Sequence, residues 1–111
     1  MDSRYLIEKG YTDTLDSIIV ALCKDFERRS EAVKAGKCSV RTAMEYKYIN
    51  AVIYDAACEI VGVRDAITYI GEIGERIGYA ASGIDYVSES TYKQQKKEVK
   101  LNIARQLHLV D

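Results

Sequence analysis

Apolar residues recur at three- and four-residue steps in four stretches of the chain, the spacing of one face of an α-helix. In the first, from Thr14 to Ala35, Leu15, Ile18, Ile19, Leu22, Phe26 and Val33 form a narrow stripe. Thr12, Asp13 or Thr14 supplies an N-cap, and Asp13 and Asp16 suit the positive end of the helix dipole. Gly36 ends the helix, because glycine enters the left-handed conformation without strain. The preceding segment, Arg4 to Lys9, amounts to one or two helical turns at most. A second helix is predicted from Val40 to Val61, capped by Ser39 and closed by Gly62. Its buried face combines Tyr46, Ile49, Val52, Ile53, Ala56, Ala57 and Ile60, with Tyr48 and Tyr54 towards the edges. The width of this face and its small residues mark it as the central element.

The third predicted helix runs from Arg64-Asp65 to Ile77, anchored by Ile67, Ile70, Ile73 and Ile77. It contains Gly71 and Gly74, each costing about 1 kcal/mol relative to alanine, so close packing of a neighbouring helix is expected there. A loop from Gly78 to Val87 follows. The fourth helix starts at Ser88 as cap, with Glu89 in its first turn. Tyr92, Val99, Ile103 and Leu107 share its inner face, Gln95 and Lys96 fill the gap, and Lys93, Lys97 and Lys100 lie on the adjoining face. No stretch alternates like a strand and there is no proline. The expected fold is therefore all-α: four main helices in a compact bundle, the last two forming a helix-turn-helix-like unit with an extended turn. One domain spans 1–111, with 1–62 as its N-terminal helical part and 63–111 as the helix-turn-helix-like part.

Composition narrows the class. The chain has 111 residues, 48% of them hydrophobic, and a net charge of −1, too apolar for disorder at so small a charge. A chain of this size buries roughly 65% of its unfolded surface. No run approaches the roughly 20 apolar residues of a membrane span, and Met1-Asp2-Ser3-Arg4 does not open a secretory leader. A cytoplasmic protein without a membrane partner is expected. Cys23, Cys38 and Cys58 form no C-x-x-C pair, and the sole histidine is His108. Free thiols in a reducing compartment are the simple reading. No metal site, cofactor or catalytic residue is expected, because no nucleophile–base or ligand set can be assembled. Glu72 and Glu75, lacking a histidine or a third acid, read as a solvated pair. Asp55 and Glu59 read as a like-charge pair that Arg64 can neutralise.

Charge is uneven. Residues 88–111 carry five basic and three acidic groups, the only net-positive segment. Gly74 and Gly78, flanked by Ile73 and Ile77, stand at the spacing of a small residue and a turn glycine in a helix-turn-helix. The capped helix that follows presents Glu89, Ser90, Lys93, Gln94, Lys97 and Lys100 outward, donors and acceptors suited to base edges and phosphates. Tyr92 faces inward as its anchor.

From Tyr69 to Leu109 the chain resembles the helix-turn-helix of sigma-factor region 4 and of small phage regulators of the ArpU type. The likeness rests on I-G-E-I-G-E-R-I-G-Y, on S-E-S-T-Y-K-Q-Q-K-K-E-V, and on the Ile103 and Leu107 tail. It implies a transcriptional regulator whose final helix enters the major groove of double-stranded DNA, in phage late-gene control. Ala80 to Val87 form an insertion relative to that pattern. A homodimer fits the same reading, since two half-sites multiply specificity.

A rival reading is a small phage-type protein that binds another protein, such as RNA polymerase or a host defence nuclease, without contacting DNA. It draws on the slightly acidic pI near 5.9, the nine tyrosines, and Ile84, Tyr86 and Val87 in the inserted loop as contacts.

Overall fold

A computed structural model describes residues 10–110; the expected turns between Arg4 and Lys9 lie outside the described residues. The elements are α1 (Asp13–Lys24), α2 (Phe26–Ala35), α3 (Val40–Val61), α4 (Val63–Gly74), the single turn α5 (Tyr79–Ser82) and α6 (Glu89–Gln106). The fold is an all-helical bundle with no strand among the described residues. Three of the expected caps form. Thr12 accepts from the Leu15 amide at 3.1 Å, Ser39 from Thr42 at 3.1 Å and Ser88 from Thr91 at 3.2 Å. Each satisfies a helix-start amide that the helix itself cannot.

The first expected helix is two. It breaks at Asp25, whose carboxylate holds Arg28 at 2.6 Å and Arg29 at 3.3 Å. The Arg29 side chain is buried, donating to the Leu22 carbonyl at 2.5 Å and to Asn50 on α3 at 2.7 Å. Asn50 in turn donates to the Phe26 carbonyl at 3.0 Å and to Ser30 at 2.9 Å. The break is thus stabilised from α3. Phe26 keeps the apolar register across it, so the sequence pattern runs on uninterrupted.

The third helix stops at Gly74 rather than Ile77. The Arg76 amide donates to the Ile73 carbonyl at 3.2 Å and the Ile77 amide to that of Glu72 at 2.9 Å, a Schellman closure. Its left-handed position, usually glycine, is taken by Arg76 at φ 54°. α6 closes in the same way, with His108 at φ 61° and the Leu109 amide on the Ala104 carbonyl at 2.8 Å.

α3 is central, packing on α2, α4 and α6, with Asn50 reaching α2 and Ala56 and Glu59 meeting α6. The core combines Leu15, Ile19 and Cys23 of α1, Ile53, Ala56 and Ala57 of α3, Ile70 and Ile73 of α4, and Val99 and Ile103 of α6. Ile18 and Ile67, expected in the core, are instead exposed, because each lies on the outer edge of its stripe. Only one interior glycine carries the expected close approach. A Cβ on Gly74 would lie 2.6 Å from the Lys24 backbone, whereas one on Gly71 would meet nothing within 4 Å.

Candidate nucleic-acid interface

α6 is built in two halves. Val99, Leu101, Asn102, Ile103 and Ala104 are buried in the bundle, whereas Tyr92 is the one buried side chain before them. Asn102 donates to the Ala56 carbonyl at 2.9 Å and to Glu59 at 2.8 Å, fastening the second half to α3. Glu59 is therefore matched by Asn102. Arg64, expected beside it, pairs with its neighbour Asp65 at 3.3 Å.

The first half hangs on an aromatic cluster. The Tyr92 ring lies 5.6 Å from Tyr69 and 5.5 Å from Tyr79, tilted against both. Its hydroxyl donates to Glu72 at 2.7 Å and sits 3.1 Å from the Ile77 carbonyl. Tyr69 donates to Gln95 at 2.7 Å, and Tyr79 to the Val87 carbonyl at 2.7 Å. Burial pushes the Tyr69 phenol up to about 12, and burial with the Glu72 carboxylate raises Tyr92 further. Glu72 is thus a buried anchor, not a solvated carboxylate. Its partner stands twenty residues away, so no sequence spacing disclosed the pair.

The expected contact residues separate into exposed and half-buried groups. Glu89, Ser90 and Lys93 are exposed, with Lys93 only loosely paired to Glu89 at 3.6 Å. An exposed pair of this kind contributes little and yields readily to another partner. Gln94 is half-buried and donates to Glu98 at 3.1 Å; Lys97 is half-buried on the same side. Lys100 is not an outward contact. Its ammonium lies 2.8 Å from Asp16 on α1, and the Tyr11 hydroxyl donates to the same carboxylate at 2.8 Å. Two turns beyond Lys93, α6 has already descended onto α1. Lys96, expected only to fill the gap beside Gln95, donates to the Ile77 carbonyl at 2.6 Å and covers the Tyr92 ring at 5.2 Å.

The inserted loop is not the free contact surface expected of Ile84, Tyr86 and Val87. Ile84 is 5% exposed and sits beneath Tyr69 and Tyr92, and Val87 packs on the same cluster. The Tyr86 ring is exposed, but its hydroxyl donates to Asp65 at 2.7 Å and the Arg64 guanidinium stacks 4.8 Å above it. Apolar side chains in the insertion had a nearer core to enter.

Among the described residues, no three histidine, cysteine or acidic side chains are grouped to hold a metal. Cys23 is in the core, where burial pushes its thiol up to about 12. No helix among the described residues is long and apolar enough to cross a membrane. Comparison with protein-family models, curated proteins and solved structures returns no match.

Proposed function

We propose that the chain binds double-stranded DNA through the first half of α6 and acts as a transcription regulator, the function implied by its likeness to phage helix-turn-helix proteins. The observation that carries this reading is the asymmetry of α6. Its first turns are capped by Ser88 and held from beneath by Tyr92, with Gln95 and Lys96 bonded a turn further on, so Glu89, Ser90 and Lys93 project from a rigid support. A helix presented this way offers polar side chains to base edges while the bundle fixes its angle of entry. Lys93 and Lys97 supply the phosphate attraction on which duplex affinity depends.

The test is duplex binding by the purified protein across a salt series. Affinity should fall linearly with salt on logarithmic axes, and Lys93→Gln should lower the slope by about 1 if that lysine contacts a phosphate. Absence of duplex binding at low salt rejects the reading.

A separate observation favours the protein-binding alternative, at a different place from the inserted loop. Val40, Met44 and Tyr48 lie at four-residue steps on the first half of α3 and are 79%, 66% and 61% exposed. An apolar stripe of this kind suits a partner helix or a host protein such as RNA polymerase. Met44→Lys abolishing capture of a stoichiometric protein partner, with no duplex affinity in the parent, would favour it over DNA binding.

A further inference from the structure

The turn that closes α4 brings three cations around one small cavity. It has a volume of about 180 Å³, with Arg76, Lys96 and Lys100 among its lining and Val20, Ile73 and Ile77 supplying the apolar part. Arg76 lies twenty residues before Lys96, so the lysine-rich stretch of α6 does not by itself disclose the group of three. Lys96 is held by the Ile77 carbonyl at 2.6 Å and Lys100 by Asp16 at 2.8 Å, which fixes both ammoniums. Two carboxylates stand nearby and neither lines the cavity. Asp16 is engaged by Lys100 and Tyr11, and Glu72 by Tyr92. Burial, and then the Lys100 charge, hold Lys96 below the usual lysine range. Three cations against two nearby carboxylates leave a net positive charge at a partly desolvated place, where an oxyanion would be attracted.

Arg76 is the most telling of the three. Its backbone is left-handed at φ 54°, in the position where helix ends normally place glycine. Glycine would remove the strain and, with it, the guanidinium.

We infer that Arg76, Lys96 and Lys100 form a binding pocket for a phosphate group. Lys93 and Lys97 continue along the same side of α6, since residues three and four apart on a helix are neighbours. The phosphodiester of a duplex lying along α6 and the phosphate of a small phosphorylated ligand share the chemistry the pocket recognises. The pocket rests on its own geometry, so it stands or falls separately from the DNA reading.

Inorganic phosphate is the probe, titrated into the full chain at constant ionic strength against chloride, with amide chemical shifts as the readout. Saturable shifts are expected at Ile77, Gly78 and Lys96, and should disappear in Arg76→Gly. That variant relieves the left-handed backbone, so a loss of binding cannot be ascribed to a failure to fold; an unchanged amide spectrum elsewhere checks this. The same variant is then measured on duplex DNA. A salt slope lowered by about 1 assigns the pocket to a backbone phosphate. Phosphate binding with an unchanged slope, or with no duplex binding at all, assigns it to a small phosphorylated ligand. Phosphate shifts no larger than those of chloride, or equal in Arg76→Gly, would overturn the inference whatever the duplex result.

Discussion

Gly71 and Gly74 sit three residues apart in one helix and answer to opposite constraints. At Gly74 the backbone of Lys24 occupies the place of a Cβ, and backbone cannot step aside as a flexible side chain can. Gly74→Ala should therefore destabilise the fold by about 1–3 kcal/mol, as overpacking does. Gly71→Ala meets nothing and should gain about 1 kcal/mol from helix propensity alone. Thermal melts of the two variants should move in opposite directions, by about 4–8 °C for each kcal/mol in a domain of this size. The sequence showed two costly glycines; only the approach of α1 separates the one that is needed from the one that is not.

Among the elements, α6 links the stability of the domain to its proposed use. Ser88 is exposed and its cap bond is local, yet it fixes the first turn on which Glu89, Ser90 and Lys93 stand. Ser88→Ala should cost about 1 kcal/mol in chemical denaturation. Because that turn has only Tyr92 behind it, the amides of residues 92–95, the first with helical carbonyl partners, should also exchange faster, while those of 99–104 stay protected. Equal protection along the whole helix would contradict the division of α6 into a supported half and a projecting half. The position of this helix was legible from its cap and inner face. Its division was not, because the depth of burial along it depends on how α1 and α3 lie beneath it.

At the scale of the whole molecule, polar contacts between distant elements fasten the bundle. Asp16 joins α1 to α6 through Lys100, with Tyr11 donating to the same oxygen. Burial alone would raise the Asp16 carboxyl, but the hydrogen bonds from Lys100 and Tyr11 outweigh it and hold it below the usual range. The unfolded chain, with an aspartate near 3.9, then takes up its proton first on acidification. This contribution to stability is present above about pH 4 and is lost as pH falls towards the lower folded value. The parent protein should therefore lose more stability between pH 6 and pH 3 than Asp16→Asn does, measured by denaturant midpoints at each pH. Parallel loss in the two would show that Asp16 titrates alike in both states.

Local hydrogen bonding and apolar spacing determined the caps Thr12, Ser39 and Ser88, the ends at Gly36 and Gly62, the central place of α3 and the inward turn of Tyr92. Each of these depends on residues within a turn or two of one another, and that information is contiguous in the chain. Tertiary structure alone decided the break at Asp25, stabilised from Asn50. It also decided the burial of Glu72 and Ile84 and the commitment of Lys100 to Asp16. For Arg29, Glu72 and Lys100 the polar group is satisfied by a partner 20 to 84 residues away. Burial makes an unsatisfied group costly, but the residue itself does not say which distant partner will meet it; the packing of the helices makes that choice.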